Sequence, residues 1–336
     1  MQPAPGPRPE QLVLMPEPEP EPEQEQGPEP LAEPLSGELE PQPLAQPDHK
    51  TKKKHGYQTS VELQRRLEAR RYRGKWASVR GIAEDNAAAC ADGGFALPDG
   101  GWQALGGAAV ASELVYCSAA PVADGAAARR FESTEVCVAN VDTLSAAVEL
   151  GDACALSFAN ADTPGGRYTH GGRAQEEDLC RLLPQLHPAL LASSAYPLAP
   201  GSALITHNLI AARLPGSYER CASMGECTVI TAAMPCGIAD RRPKGGWANS
   251  EWAITVTLRI RAVLRAAAHT GKPHLVLGAF GCGAFGNPAG PVATIFREQL
   301  ESPEFRGAFS MVVFAVFDPL GTGNLGPTRR ELATLK

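Results

Sequence analysis

The stretch Pro164–Arg181, PGGRYTHGGRAQEEDLCR, puts four glycines into nine residues and follows them with two adjacent carboxylates, Glu176 and Glu177. On a helix, neighbouring side chains point about 100° apart. One carboxylate can then aim a substrate while the other moves a proton. Gly165 and Gly166 let the backbone pass close to a ligand. Asn160, just before this loop, offers donors and acceptors suited to sugar hydroxyls. A plainer reading competes: QEE at a helix start also places negative charge where the helix dipole favours it.

A second stretch, GAFGCGAFGNP, has the chemistry of an anion site. Gly281, Gly283 and Gly286 permit positive φ and close backbone approach. Successive N–H groups then form an anion-binding nest, and a following helix adds its positive end. No Gly-Lys-Ser/Thr follows, so it is not a Walker loop. Cys282 and Ala284 complete the loop, and Phe285 can stack on a sugar or base. The plain alternative is a tight strand-to-helix turn. Cys282 has no identifiable partner base and reads as a small filler rather than a nucleophile.

These loops need strands before them and helices after them. The pattern predicts strands at 112–117, 134–140, 154–160, 203–208, 227–234, 274–280 and 310–317, and helices at 142–150, 176–186, 250–270 and 291–302. Several of the strands are continuous apolar runs, as expected for a sheet covered on both faces. Residues 60–93 read as helix with an interruption at Gly74, with Ser60 as its N-cap. The expected class is α/β, a mixed, mostly parallel sheet between helical layers.

Residues 1–48 hold eleven acids, one base and 14 of the 30 prolines. They cannot bury enough apolar surface to offset ordering entropy, so a disordered tail is expected over 1–58. It ends in a basic cluster, Lys50 and Lys52 to Lys54, which reads as a nuclear import signal, a polyanion contact or a solvated linker. A globular domain is expected over 59–325 and a C-terminal tail over 326–336. The net charge of −6 conceals a folded part that is mildly cationic, since the 288 residues after Asp48 carry 30 bases against 26 acids. That is compatible with an anionic ligand. No apolar run approaches a membrane span, and the N-terminus lacks the features of a secretory signal. Nine scattered cysteines without a CxxC suit reduced thiols in an intracellular protein, cytoplasmic or nuclear. No Cys or His spacing calls for a metal, and no cofactor is implied.

Together, FANADTPGG, GGRAQEEDLCR and VLGAFGCGAFGNP resemble the microbial-type poly(ADP-ribose) glycohydrolases, a branch of the macrodomain superfamily. The family signature is three glycines, six to eight residues, then QEE. Here Gly165-Gly166-Arg167 and seven residues precede Gln175-Glu176-Glu177, so arginine stands in place of the third glycine. Arginine there can narrow the site or reach a phosphate. The resemblance extends over roughly 65–320 and includes RGIAEDN, EVCVANVDTLSAA and CTVITAAMP. It implies a macrodomain-like three-layer α/β/α fold with extra N-terminal helices. It implies cleavage of ribose–ribose O-glycosidic bonds of poly(ADP-ribose), releasing ADP-ribose.

By the same resemblance, Glu177 is the general acid and base, a role that requires a raised pKa. Glu176 orients the ribose hydroxyls, Asn160 contacts the same ribose, and Gln175 supports the loop. The Gly281–Gly286 loop holds the diphosphate, with Phe285 on the ribose. The implied partners are poly(ADP-ribose) or ADP-ribose and ADP-ribosylated proteins, with no membrane and no sequence-specific nucleic acid. Two other functions fit the same residues: a reader that binds ADP-ribose without cleaving it, and a hydrolase of mono-ADP-ribosyl groups. His170 reads as a solvated loop histidine or an alternative acid, and His207 as a satisfied core residue. The basic loop 240–247 reads as solvated or as a polymer contact. Trp247 and Trp252 are expected in the core or at its edge.

Overall fold

The structure is a computed structural model that describes residues 60–70, 78–79, 81–106, 112–116, 129–236, 246–248, 250–319, 323–333 and 335. All of them belong to the unit His55–Lys336. The 1–58 tail expectation therefore lies outside the described residues, as do the Gly74 break, the Lys50–Lys54 cluster and the basic loop apart from Gly246 and Trp247.

The chain opens with helices α1 (Ser60–Arg70) and α2 (Ile82–Ala91), then a hairpin of β1 (Gly94–Ala96) and β2 (Trp102–Ala104). Next come β3 (Ser112–Tyr116), β4 (Glu135–Ala139), α3 (Thr143–Leu150), β5 (Ala153–Ala159), α4 (Gln175–Leu182) and α5 (Leu186–Ala192). The second half runs β6 (Ser202–Ile210), β7 (Glu226–Ala233), α6 (Glu251–His269), β8 (His274–Leu277), α7 (Ala289–Glu301), β9 (Met311–Ala315) and α8 (Leu325–Leu332).

Seven strands form one sheet in the order β3-β6-β7-β5-β8-β9-β4. The pairs β7–β5, β5–β8, β8–β9 and β9–β4 are parallel, while β6 is antiparallel to both of its neighbours. These are the seven strands the sequence pattern predicts. Side chains alternate across a strand, and here both faces are apolar. Ala153, Ala155 and Ala159 of β5 join Leu63, Ile82, Leu144, Leu179 and Leu186 from α1 to α5. Cys154 and Leu156 of the same strand join Val256, Phe296 and Leu332 from α6, α7 and α8. Burial on both faces is why these strands read as unbroken hydrophobic runs. The expected three-layer arrangement, with additional helices at its N-terminal end, is the one the chain adopts.

Three sequence expectations need correction. The helix predicted over 176–186 ends at Leu182, because Leu183, before Pro184, leaves the helical region at φ −116°, ψ 85°. A residue preceding proline is pushed out of the α region. The tail expected over 326–336 contains most of α8. Gly326 and Pro327 disguised it, but both sit in its first turn, where proline is tolerated. Its Leu325, Thr328 and Leu332 are buried, and its Arg329 donates to Glu68 Oε1 of α1 at 3.0 Å. His207 is not a core residue. It is half-buried on β6 and lies 3.0 Å from Glu113 Oε1 of the edge strand.

Leu332 is 3% exposed, so Leu332→Ala should cost about 2 kcal/mol and lower the melting temperature by about 4–8 °C. A melting curve matching the parent would mean that α8 does not pack as described.

Candidate active site

The site lies beyond the carboxyl ends of the parallel strands, where α/β sheets collect ligands. Past Ala155, β5 no longer pairs with β8. Gln175, the first residue of α4, takes over that edge. Its Oε1 accepts from Phe158 N at 2.8 Å, and its Nε2 donates to Leu156 O at 2.8 Å and Thr143 Oγ1 at 3.0 Å. A side-chain amide thus replaces a strand and locks α4 to the sheet.

That clamp sets the two residues that follow. Glu176 and Glu177 are 3% and 7% exposed. Glu176 Oε2 accepts from Asn160 N at 2.8 Å, and Glu177 Oε1 accepts from Arg167 N at 2.9 Å. The N-cap of α4 is Ala174, which has no polar side chain to cap it. Both carboxylates bond to the backbone of the preceding loop rather than to their own helix. Each glutamate also keeps one buried oxygen, Glu176 Oε1 and Glu177 Oε2, without a partner. An orphaned buried acceptor is costly, and each marks a place where a donor or a proton belongs.

The glycines make this arrangement sterically feasible. A Cβ on Gly166 would fall 2.7 Å from Glu177 Oε1 and 2.9 Å from Glu176 Oε2. Gly165 instead backs onto His187, whose Cδ2 would meet its Cβ at 2.7 Å. Asn160 spends its side-chain oxygen on the loop, accepting from Asp162 N at 2.8 Å and Thr163 N at 3.0 Å. Its Nδ2 is left to donate elsewhere.

Burial is the largest cause that pushes the Glu176 carboxyl up, to about 8; the bond from Asn160 opposes it and the charge of Glu177 adds to it. Burial thus holds the carboxyl at position 176 toward its protonated form.

The second loop turns exposed backbone toward the same end of the sheet. Cys282 N, Gly286 N and Asn287 N are used within it, on Ala279 O, Gly283 O and Gly281 O. Among the described residues, the N–H groups of Gly283, Ala284 and Phe285 bond to no backbone acceptor. Three consecutive donors of this kind form an anion nest. Gly281 has φ +70°, and a Cβ there would sit 2.5 Å from that of Met234. Cys282, expected with the loop at the ligand, packs against the core. Its side chain is 8% exposed, its thiol is pushed up to about 12 by burial, and its N–H is spent.

A cavity of about 480 Å³ lies between the loops. Gln175, Phe158, Gly281, Gly283, Ala284 and Phe285 contribute to its wall; Asn160, Gly165, Gly166, Glu176 and Glu177 do not. The glutamates therefore stand beside the cavity, joined to it through Gln175. Phe158 and Phe280, with ring centroids 5.7 Å apart, tie β5 to the second loop.

Several wall and support residues escaped sequence reasoning. Asp178 and Tyr218 line the cavity, with Tyr218 OH donating to Asp178 Oδ1 at 2.5 Å. Burial pushes Asp178 up to about 6. Tyr218 holds φ +58°, rare for a bulky residue. Asn287 donates to Gly281 O at 2.9 Å and accepts from Trp252 Nε1 at 2.9 Å, so Trp252, buried as expected, also anchors the loop. Asn86 of α2 donates to Tyr168 OH, Cys180 O and Arg181 O at 3.0–3.2 Å. Arg181, buried under the rings of Tyr168 and Tyr218, donates to Gly172 O. Asp178 was readable as the residue after QEE. Tyr218 comes from a distant loop with no local signal.

A carboxyl whose folded pKa exceeds its unfolded value of 4.5 binds more protons folded than unfolded. Its burial therefore costs stability as pH rises from 4.5, and the cost levels off beyond about 8. Glu176→Gln abolishes this, so it should raise the melting temperature relative to the parent at about pH 9 and lose that advantage at about pH 5. A difference that does not change with pH would refute the buried-carboxyl account.

Residues 83–210 match the family described as microbial-type PARG, catalytic domain. The second glycine loop lies beyond that segment. Comparison with curated protein sequences finds no match. Among solved structures, poly(ADP-ribose) glycohydrolase from Thermomonospora curvata is similar at 26% identity and a TM-score of 0.65, over 76% of this chain and 99% of that one. Its complex with the inhibitor ADP-HPD gives 28%, 0.64, 75% and 98%. The Deinococcus radiodurans enzyme in complex with ADP-ribose is 34% identical, with a TM-score of 0.55, over 67% of this chain and 94% of that one. With this likeness, the three-layer fold and the glycine loop over adjacent glutamates, this chain belongs to the microbial-type poly(ADP-ribose) glycohydrolase family.

Proposed function

We propose that the chain hydrolyses ribose–ribose O-glycosidic bonds of poly(ADP-ribose) and releases ADP-ribose. The observation that carries this is the buried glutamate pair, each with one unpartnered oxygen, beside an exposed amide nest and a cavity of nucleotide size. A cavity of about 480 Å³ falls in the range of roughly 300–1,000 Å³ of small-molecule sites. A module that merely bound ADP-ribose would not need two desolvated carboxyl groups, whose burial costs stability.

In this reading the Gly283–Phe285 amides hold the diphosphate and Phe285 packs on the ribose. Glu176 fixes the ribose hydroxyls, helped by Asn160 Nδ2. Glu177 donates its proton to the leaving 2′ oxygen as the bond to C1′ breaks. It then takes a proton from water as that water attacks C1′. The transition state is oxocarbenium-like. Gln175 holds the pair in register with the sheet. Among the described residues, no group of three or more His, Cys, Asp or Glu can hold a metal ion, and no helix is long and apolar enough to cross a membrane. The eight described cysteines are free, which supports an intracellular setting; in this reading the targets are ADP-ribosylated proteins.

Glu177→Gln should keep ADP-ribose affinity while polymer hydrolysis falls by about 10²-fold or more. Glu176→Ala should lose less, through poor positioning. Both are measured by incubating labelled, automodified polymer with each variant and resolving the products. Near-normal turnover by Glu177→Gln would refute its role. Retention of polymer by the parent without release would indicate a reader, and loss of just the protein-linked unit would indicate a mono-ADP-ribosyl hydrolase.

A further inference from the structure

Arg167 stands where the family signature has its third glycine, and the backbone explains why a side chain is tolerated there. Gly165 and Gly166 hold φ +71° and +58°, a region that strains L-residues. Arg167 holds φ −98°, ψ 28°, which needs no glycine. The replacement therefore leaves the turn intact and changes what the loop presents to solvent.

What it presents is a free cation beside the reacting groups. The Arg167 N–H bonds to Glu177 Oε1 at 2.9 Å, so its Cα lies next to the proposed acid. Its side chain is exposed and forms no hydrogen bond or ion pair among the described residues. It does not line the cavity, so it does not plug the site. Arg173, on the same loop, is also exposed and unpaired among the described residues, and it lies on the cavity wall. Asp162 is the single acid between Asn160 and Gln175.

A guanidinium binds phosphate through two parallel hydrogen bonds. The diphosphate of the bound unit already has the Gly283–Phe285 amides on the other loop. Arg167 is next to Glu177 and outside the cavity wall, so it is not among the groups around that first diphosphate. We infer that Arg167 holds the diphosphate of the ADP-ribose unit adjoining the scissile bond, and so makes this chain favour polymer over substrates with a single ADP-ribose. This rests on the glycohydrolase reading above and adds to it a determinant of substrate choice.

The test uses full-length Glu177→Gln, alone and combined with Arg167→Gly or Arg167→Lys. Each is titrated with ADP-ribose and with purified poly(ADP-ribose) of defined length, at several salt concentrations. Arg167→Gly should weaken polymer binding about 5-fold, as loss of an exposed ion pair does, and leave ADP-ribose affinity unchanged. It should also flatten the salt dependence by about one phosphate contact. Arg167→Lys should recover part of the loss, because a point charge replaces a fork. With Glu177 intact, Arg167→Gly should raise KM for polymer by the same factor. Unchanged or tighter polymer binding in Arg167→Gly would overturn the inference. Failure of the parent to release ADP-ribose would instead sink the glycohydrolase reading, and the polymer titration would still decide the role of Arg167.

Discussion

Two adjacent carboxyl groups are kept out of water by a glycine loop, and much of the molecule follows from that constraint. Burying them costs free energy unless backbone donors meet them. Asn160 N and Arg167 N supply one donor each. The loop can approach this closely because position 166 has no Cβ. One oxygen of each glutamate still lacks a partner, so the site is built with unmet hydrogen-bonding capacity. Such capacity is tolerated where chemistry uses it.

Holding that arrangement draws on distant parts of the chain. Gln175 replaces a strand on the free edge of β5, so the helix carrying the glutamates is pinned to the sheet. Arg181 grips the glycine loop from below through Gly172 O. Asn86 of α2 bonds to both the loop and the end of α4, and accepts from Arg213 Nε at 2.7 Å. Asp85 beside it pairs with Arg213 and Arg220. The N-terminal helices are therefore part of what fixes the site. Asn287, itself held by Trp252, fixes the second loop through Gly281 O.

The elements were legible because the sheet is buried on both faces. Runs such as ALSFA and MVVFA cannot be amphipathic helices, and glycine-rich segments separate them from helical patterns. The reading failed where local chemistry misled. Pro184 broke a helix that apolar spacing would have continued, and Gly326 and Pro327 hid one that tertiary packing makes. The hairpin of β1 and β2, three residues per strand, was too short to show a period. In the site, Cys282 shares a loop with the exposed Gly283 and Ala284 but turns into the core. A side chain's direction depends on the turn that carries it.

The sequence by itself determined the fold class, the two loops and their order, and the adjacency of Glu176 and Glu177. These depend on residue type and spacing along one chain. The tertiary structure alone decided which glutamate oxygens are satisfied, and that burial lifts the pKa of Glu176. It alone brought Asp178 and Tyr218 into the cavity wall and left Arg167 pointing to solvent. Burial, hydrogen-bond completion and side-chain direction depend on neighbours from far along the chain, and no local pattern encodes them.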